Sequence, residues 1–569
     1  MISYQERAVA LKEKTGDLYV DDYSLKKAGE IDVSYIKKPD VSLRNEDTLV
    51  GAIRWDVWLG DSARNSKDII ESMKPEKYHY RLPWYADISN GNFTIDSGSQ
   101  EIMDKQIQFA KQAGIDYFAF DYYPERPGDN DLSVSRSLYQ SSKYKNAVNW
   151  CALLCYFYNF EEDVPKLIEQ FKEENYQKVL NGRPLLYFFY VTREHLNFIT
   201  KLRELTAQAG VPDPYIVALS TSASAVADLK ELKMDAFSQY FTYGENGIAY
   251  KDYAANESKG WERYKETGTQ VIPWVSTSWD KRPMADHVPS WETSNPASPH
   301  MYSEQGTPEQ IAEQLGKAID WCETNKETTV ANAILIYAWN EFAEGGWIEP
   351  TYEELRDNGR PLRLDAIREM LKGVRANFSD INSVPWAENE IKDLAVSNVF
   401  DGIAKDEFEP SKEATRAEFI SWLVRTLGLY SDSKDNFSDI KADAFYADEL
   451  AIAKGLTITA GVGDNKFNPD SNISRQDLAT LLARALTNLN VIDSNQTIDK
   501  NELLKFKDSG LVAQYAADSM ALLVNEGILK GADGNVNPLG NVTRAEAAVI
   551  CKRIQNKAFN LPAKPLFVQ

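Results

Sequence analysis

Cysteine and histidine are both scarce in this chain of 569 residues. Each occurs four times, and no cysteine shows metal-ligand spacing with a histidine nearby. Their positions are Cys151, Cys155, Cys322, Cys551, His79, His195, His287 and His300. The scarcity argues against a disulfide framework and against a histidine-based metal site, so we predict no metal and no cofactor.

Basic residues are few relative to acidic ones, and long apolar runs are lacking. The 63 Lys and Arg residues against 85 Asp and Glu residues give a net charge of -22, which would repel a phosphate backbone. We therefore predict no nucleic-acid partner. No apolar run reaches the length needed to cross a bilayer, so we also predict no membrane insertion.

The sequence begins without a recognisable signal peptide. Taken alone, this favours a cytoplasmic protein. The repeats in the C-terminal third, described below, favour an extracellular one. We therefore expect a full gene product with a leader that the numbered chain lacks.

Aromatic residues are abundant, at 11% of the chain with 13 Trp and 29 Tyr. They concentrate in the first two thirds of the sequence. An apolar sugar face packs well on an aromatic ring, so this bias is typical of carbohydrate binding. The alternative is that many of these rings fill a large core.

The length predicts more than one domain. Residues 1–47 form a polar lead-in segment, and apolar strand-like runs then alternate with helical patterns up to about residue 345, which is typical of a parallel sheet. Eight strands predict a (β/α)8 TIM-type barrel over residues 48–374, and a doubly wound open sheet is the alternative. The predicted strands are Leu49–Trp58, Ile115–Tyr123, Trp150–Phe157, Pro184–Val191, Tyr215–Ser220, Ala236–Thr242, Thr269–Ser276 and Ala331–Trp339.

Rings and acids collect where these predicted strands end. The chemistry of a TIM-type barrel lies at the C-terminal ends of its strands, so these side chains are the predicted substrate-binding residues. They are Asp56, Trp58, Asp121, Tyr122, Tyr123, Tyr158, Tyr190, Tyr240, Tyr243, Trp274, Trp279, Trp339, Asn340, Trp347 and Glu349. The long loop of about residues 278–305 is predicted to form a wall or lid of the cleft.

The most informative segment runs from Ile334 to Pro350, where a buried strand leads into carboxylates, aromatics and glycines. Glu341 and Glu344 are the predicted catalytic pair. Two acids three residues apart on a turn can reach adjacent atoms of one sugar ring, and their mutual repulsion raises the pKa of one of them. A purely structural interpretation, in which both acids cap the loop, leaves the surrounding aromatic residues unexplained.

The segment Trp339-Asn340-Glu341-Phe342-Ala343-Glu344-Gly345, followed by Ile348-Glu349-Pro350, resembles the signature of glycoside hydrolase family 99 and of the related WbsX-like proteins. The stretch Ala113–Tyr123 also resembles their second-strand segment. Phe342 replaces the usual Trp. The resemblance implies a retaining endo-acting α-mannosidase that proceeds through a 1,2-anhydro sugar, with Glu341 deprotonating the 2-hydroxyl and Glu344 acting as general acid and then base. Double displacement, with Asp121 or Asp56 as nucleophile, is the alternative mechanism.

Past about residue 375 the sequence repeats three times at a spacing near sixty residues. Each copy has a Phe-x-Asp type opening and a later Ser/Thr-Arg-x-Glu/Asp signature, which is a capping box that begins a helix. We place the copies at residues 375–434, 435–500 and 501–560. The signatures are Thr415–Glu418, Ser474–Asp477 and Thr543–Glu546.

These repeats closely resemble S-layer homology domains, in which three copies form an all-helical unit that binds secondary cell-wall polysaccharide, often pyruvylated. The resemblance implies that Arg416, Arg475 and Arg544 bind anions, because a guanidinium can grip a ketal carboxylate bidentately. The alternative is that each arginine pairs only with the acid of its own helix. The second signature reads Ser-Arg-Gln-Asp, so not every groove need be functional.

The leading hypothesis from the sequence is an extracellular glycoside hydrolase that acts on a polysaccharide or oligosaccharide and is held to the cell wall by its repeats. A non-catalytic glycan-binding surface protein is the second hypothesis. A WbsX-like role in polysaccharide biosynthesis is the third. The third is disfavoured because no nucleotide-phosphate cradle is evident in the sequence.

Overall fold

A computed structural model describes residues 41–559, except residues 46, 61–63, 90–91, 124–131, 156–159, 190, 192–194, 221–231, 294–295, 401–405, 432 and 494–497. The sequence patterns near residues 6–14 and 223–232 each predict a helix, and these two segments lie largely or wholly outside the described ranges.

Eight parallel strands close into a barrel. The order follows the chain from β1 to β8, and β8 pairs in turn with β1, Leu49 opposite Ala333. The seventh strand has two pieces, of which the first pairs with β6 and the second with β8, so this strand completes the ring. The strands are β1 Leu49–Arg54, β2 Tyr117–Tyr122, β3 Asn149–Leu154, β4 Arg183–Phe189, β5 Tyr215–Leu219, β6 Ala236–Ser238, β7 Gln270–Val271 with Trp274–Ser276, and β8 Ala333–Tyr337.

The predicted TIM-type barrel is therefore confirmed, and the open sheet is not observed. The predicted strands run too far at their C-terminal ends, since β6 ends at Ser238 and β8 at Tyr337. The sequence pattern also predicts one helix over residues 164–180, and this prediction is wrong. That helix ends at Phe171, and Lys178–Val179 pairs antiparallel with β4 instead.

Helices surround the barrel and form the C-terminal part. Their ends carry ordinary capping signals. In the helix that begins at Pro308, for example, the hydroxyl of the preceding Thr307 accepts a hydrogen bond from the backbone amide of Gln310. Those of the barrel are α1 Arg64–Ser72, α2 Gln100–Ala113, α3 Val134–Ser141, α4 Phe160–Phe171, α5 Leu196–Gln208, α6 Tyr250–Glu266, α7 Arg282–Asp286, α8 Pro308–Thr324 and α9 Leu362–Arg375. Those of the repeats are α10 Glu388–Val396, α11 Arg416–Leu427, α12 Ala447–Gly455, α13 Arg475–Asn488, α14 Lys500–Leu504, α15 Ala517–Asn525 and α16 Arg544–Phe559.

The barrel interior is packed with side chains. The hydroxyls of Tyr117 and Tyr187 are 2.7 Å apart across it, and the Tyr117 hydroxyl donates to the Ile334 carbonyl over 3.1 Å. A Cβ on Gly51 would lie 2.0 Å from the Tyr117 ring, so only glycine fits there. Chemistry is therefore confined to the ends of the barrel.

The repeats close into a ring of three. The first amides of α11, α13 and α16 donate to loop carbonyls of the next repeat, at Ser471, Gly540 and Lys412 respectively, over 2.8 to 2.9 Å. Because α16 of the third repeat returns to a loop of the first, each repeat is bonded to both others. None of the helices in the described ranges has the length and apolar character needed to cross a bilayer.

Arg375, the last residue of α9, joins the barrel to the repeats. Its guanidinium donates to the carbonyls of Thr48 (2.8 Å) and Val396 (3.3 Å) and pairs with Asp116 (2.5 Å) at the N-terminal end of β2. Asn398 also donates to Asp116, over 2.7 Å. The repeats thus lie against the N-terminal end of the barrel, opposite the C-terminal ends of its strands.

We expect Arg375→Ala to lower the free energy of unfolding by about 3–5 kcal/mol, because it leaves the buried Asp116 carboxylate without its charged partner. The measurement is urea unfolding followed by fluorescence. The control is Arg360→Ala, which removes an arginine with a 67% exposed side chain just ahead of the same helix. This substitution should change the free energy of unfolding by less than about 1 kcal/mol. Equal effects of the two substitutions would contradict this account of the junction.

Candidate active site

Carboxyl groups and a tyrosine meet at the C-terminal end of the barrel, which we call the mouth. Asp121 comes from β2, Tyr240 follows β6, and Glu341 follows β8. The Tyr240 hydroxyl lies 2.9 Å from Glu341 Oε1 and 3.1 Å from Asp121 Oδ2. Three predicted residues, distant in sequence, are thus brought together.

A tight turn fixes the spacing of Glu341 and Glu344. Asn340–Glu341 pairs antiparallel with Gly346–Trp347, and one 3₁₀ turn, Phe342–Glu344, lies between them. Gly345 has a φ of 86°. A Cβ on Gly346 would lie 2.3 Å from the Tyr337 ring. The glycines therefore allow the turn to fold tightly over β8 and to bring both acids to the mouth.

Glu341 is buried, and its Oε2 atom has no hydrogen-bond partner among the described residues. Burial raises its pKa well above the ordinary value, and the negative charges of Glu344 and Asp121 raise it further. Burial also raises the pKa of Asp121 well above its ordinary value. The single Tyr240 hydroxyl proton can be donated to only one of these two carboxyls. The arrangement therefore favours a proton on the other.

Glu344 has different partners. Its Oε2 accepts from the Tyr337 hydroxyl over 3.1 Å, and its Oε1 lies 3.2 Å from Lys281 Nζ. Lys281 also pairs with Glu292, at 2.5 Å. Burial alone would lower the pKa of Lys281, but the carboxylates of Glu344 and Glu292 raise it above its ordinary value. Lys281 therefore stays charged and holds Glu344 in place.

Aromatic rings form one wall of the mouth. Trp279 stacks on Phe241 with 3.9 Å between ring centroids, and Tyr243 packs edge-on against Trp279 at 5.8 Å. Tyr243 is 44% exposed, whereas Trp279 is buried. Of the two predicted rings here, Tyr243 is therefore the one that is exposed to solvent.

Polar contacts hold Asn340 and Asp56 beside the mouth. Asn340 Oδ1 accepts from the Trp55 amide over 3.0 Å, and its Nδ2 donates to Asp56 Oδ1 over 3.0 Å. Both Asp56 oxygens also accept from Arg54 Nε, over 2.9 Å. The Trp55 indole donates to the hydroxyl of Tyr123, over 3.2 Å. Asp56 is thus fully engaged in orienting its neighbours.

Glu349 lies deeper in this network. Its Oε1 accepts from the Trp84 indole over 3.0 Å and from Gln106 Nε2 over 2.6 Å. Burial raises its pKa to about 7. Gln106 accepts in turn from Arg54 over 2.5 Å, so Glu349 connects to Asp56 only through other side chains.

Five predicted rings are engaged in packing contacts within the protein, two of them, Trp58 and Trp347, against Phe342 of the turn that carries the acids. Successive residues of a strand face opposite sides of the sheet, so not every ring at a strand end points into the mouth. Trp274 donates to Thr242 Oγ1 over 2.8 Å and faces α6, and Trp339 lies 5.0 Å from the Phe118 ring. The remaining three are Trp58 against Phe342, Tyr122 under Arg136, and Trp347 under Arg363. The other two predicted residues, Tyr158 and Tyr190, lie outside the described residues.

Sequence reasoning missed Lys281, Glu292, Tyr337 and Trp55. Lys281 and Glu292 lie in or beside the long loop after β7, where no periodicity marks a side chain as inward. Tyr337 is the last residue of β8 and looked like core. Within the described residues, no group of three or more His, Cys, Asp and Glu side chains is arranged to hold a metal ion.

The three signature arginines reach across the repeats. Arg416 lies 3.9 Å from Asp477, and Arg475 lies 3.7 Å from Glu546. Arg544 lies 3.9 Å from Glu418 of the first repeat. Each arginine therefore faces the signature acid of the next repeat, and the alternative of pairing within its own helix is wrong.

Comparison with known proteins finds two different families along the chain. Residues 158–357 match the family model described as glycosyltransferase WbsX. Residues 377–420, 436–479 and 505–548 match the S-layer homology domain. A structure of the GH99 endo-alpha-mannosidase from Bacteroides thetaiotaomicron aligns with a TM-score of 0.37 and 16% identity, over 58% of this chain and 100% of that one.

Two curated relatives match about a third of the chain. The Surface-layer 125 kDa protein of Lysinibacillus sphaericus is 28% identical over 183 residues, which are 31% of this chain and 15% of that protein. The Amylopullulanase of Thermoanaerobacterium thermosulfurigenes is 32% identical over 187 residues, 32% of this chain and 10% of that protein. The aligned region thus spans a small part of these relatives. The repeats indicate association with the cell surface. The chain combines a WbsX-like barrel region with three S-layer homology repeats.

Proposed function

We propose that this protein is a cell-surface glycoside hydrolase whose catalytic pair is Glu341 and Glu344. The observation that carries the proposal is the separation of the two acids within one mouth. Glu341 bonds to Tyr240 beside Asp121, whereas Glu344 bonds to Tyr337 and Lys281. Two carboxyls with different environments can take different roles in one proton-transfer sequence.

Glu341 is suited to be the base. A sugar hydroxyl is a weak acid, so a carboxylate of ordinary pKa is a poor base toward it, and a raised pKa improves the match. Burial supplies this increase at Glu341. Its Oε2 atom has no partner among the described residues and is free to accept a proton from the substrate's 2-hydroxyl.

Glu344 is suited to be the acid and then the base. Its side chain is 14% exposed, so it can exchange protons with water between the two steps. Lys281 and Tyr337 fix its orientation through one contact to each oxygen, and each oxygen keeps a second lone pair that can carry the transferred proton. This assignment agrees with the roles that the family 99 resemblance implies.

Asp121 is the rival nucleophile for a double displacement. Its Oδ1 atom is buried without a hydrogen-bond partner among the described residues, as a nucleophile's free oxygen could be. Asp56 is disfavoured in that role because Arg54 and Asn340 engage both of its oxygens. The 1,2-anhydro route is the one we propose, because Glu341 lies in the position the motif assigns to the base.

The substrate we propose is an extracellular polysaccharide or oligosaccharide of the α-mannan type, cleaved internally with retention of configuration. The substrate and the stereochemistry come from the motif resemblance. The exposed ring of Tyr243 supports a sugar substrate in general.

We further propose that the repeats bind secondary cell-wall polysaccharide. Arg416 lies near Asp477, whose carboxylate accepts from the hydroxyl of Tyr515 over 2.6 Å. Tyr515 is 59% exposed. A guanidinium beside an exposed ring suits a sugar that carries a carboxylate, because charge pairing and stacking can act together.

Glycosyl transfer is a second candidate, favoured by the description of the family that residues 158–357 match. The mouth argues against it. The carboxyl groups of Asp121, Glu341, Glu344 and Glu292 lie there, Lys281 pairs with only two of them, and carboxylates repel the phosphates of a sugar nucleotide.

The test is digestion of a polysaccharide panel that includes α-mannan, with release of reducing ends as the readout. We expect cleavage of at least one α-linked polymer by the native chain. Binding to the panel without cleavage would favour a glycan-binding protein. Saturable binding of a sugar nucleotide would favour transfer.

A further inference from the structure

The ring of repeats places three equivalent positions beside the three signature arginines. In each repeat the aspartate of the opening motif accepts hydrogen bonds from two successive backbone amides in the loop ahead of a proline that recurs in all three repeats. Asp380 accepts from Phe408 and Glu409, Asp439 from Phe467 and Asn468, and Asp508 from Val536 and Asn537, all within 3.1 Å. Glu409, Asn468 and Asn537 are therefore equivalent positions.

Glu409 is the one glutamate among the three equivalent residues, and the backbone conformation at this position favours asparagine. The φ angles of Glu409, Asn468 and Asn537 are 54°, 56° and 52°, all in the left-handed region. Asparagine adopts this conformation more readily than glutamate does. Glu409 thus occupies a less favourable backbone conformation and brings a carboxylate to the loop.

That carboxylate lies on a signature arginine. Glu409 Oε2 is 2.7 Å from Arg544 Nη1. Among the described residues, the closest carboxylates to the other two arginines are at 3.9 Å for Arg416 and 3.7 Å for Arg475. The Arg544 side chain is 2% exposed, compared with 11% and 13% for the other two. Arg416 and Arg475 donate to backbone carbonyls, at Phe467 and Lys530, so Arg544 is the most covered of the three and the one with a close carboxylate partner.

We propose that Glu409 occupies the anion position of the interface between the third and first repeats, so that an anionic glycan binds at the other two interfaces only. The inference rests on the proposed wall binding. A carboxylate on a guanidinium is the interaction that a ketal carboxylate of the glycan would make, so the internal and external anions compete for one site. Asn468 and Asn537 carry no charge and leave their arginines available.

The first test counts bound ligands by native mass spectrometry. The probe is a methyl glycoside carrying a 4,6-pyruvate ketal, with the same glycoside lacking the ketal as a neutral control. We expect two bound ketal glycosides for the native chain and three for Glu409→Asn. Glu407→Asn removes an exposed charge two residues away and should leave the number at two. Three ligands on the native chain, or two on Glu409→Asn, would overturn the inference.

A second test isolates the third interface. Arg416→Gln with Arg475→Gln should weaken binding of the ketal glycoside at least tenfold, and adding Glu409→Asn should restore it. Recovery also demonstrates that the triple variant is folded. A triple variant that keeps the native circular dichroism and melting temperature but does not bind would count against the inference. Failure of the native chain itself to bind the probe would instead overturn the proposed wall binding, and the inference with it.

Discussion

Glu341→Gln should lower turnover of the cleaved polysaccharide by about 10³-fold, the larger part of what a positioned general base contributes. Glutamine keeps the size of the side chain and its contact with Tyr240, so the lost property is the ability to accept a proton. The Michaelis constant should change by less than about fivefold. The readout is initial rate of reducing-end release over a range of polymer concentrations.

The control for Glu341→Gln is Glu257→Gln. Glu257 is a buried glutamate of α6 whose pKa burial raises to about 8, and it accepts from the Ser276 amide at the end of β7 rather than from Tyr240, Tyr337 or Lys281. Its replacement should change turnover by less than about tenfold. A similar loss in both variants would mean that any buried carboxyl-to-amide change disturbs the barrel. The loss of activity in Glu341→Gln could then not be assigned to proton transfer by Glu341.

The pH profile gives an independent check on Glu341. A base must be unprotonated, so activity should rise with pH through the pKa of Glu341 in the free enzyme. Burial and the neighbouring acids raise that pKa well above 4.5, so the acidic limb should lie well above pH 4.5.

A substrate whose 2-hydroxyl is methylated should resist cleavage. Rapid cleavage of that substrate would favour Asp121 as nucleophile instead.

Glu344→Gln should also lower polysaccharide turnover by about 10³-fold, but with a different dependence on the leaving group. An acid is needed to protonate a poor leaving group such as a sugar alkoxide, and a dinitrophenolate leaves without that help. We expect the loss to shrink to below about tenfold for the first step with a dinitrophenyl glycoside. Glu341→Gln should remain impaired with both substrates.

Glu292→Gln is the matched control for Glu344→Gln. Both glutamates pair with Lys281, at 2.5 Å for Glu292 and 3.2 Å for Glu344, so both variants remove one negative charge from the same lysine. Only Glu344 also bonds to Tyr337 of β8. We expect turnover of Glu292→Gln to stay within about tenfold of native. Equal losses would mean that the charge balance at Lys281, rather than proton transfer by Glu344, limits the reaction.

The sequence predicted the barrel because each strand is a short apolar run bounded by helical patterns, which is a local signal. It predicted Asp121 and Glu341 correctly as neighbours of one mouth because parallel strands end at the same face. It misplaced Trp339, which is adjacent to Asn340 in the chain but faces the Phe118 ring. Strand ends were predicted too late, and this hid which of the terminal residues point inward.

The loop residues were beyond reach of pattern reasoning. Lys281 and Glu292 have no periodic neighbours, and their roles depend on a 2.5 Å contact between positions eleven residues apart. The arginines of the repeats were found because the signature recurs. Their partners were not found, because the sequence of one repeat does not indicate which residue of the next repeat its arginine contacts.

The junction at Arg375 determines which way the mouth points. The repeats cover the N-terminal end of the barrel through Asp116 and Asn398, and the last helix returns to the barrel, where Lys105 donates to the Phe559 carbonyl over 2.5 Å. Two separate attachments prevent the barrel from swivelling on a single linker. On the proposed wall binding, the mouth would therefore keep a fixed direction, away from the repeats that hold the protein to the wall.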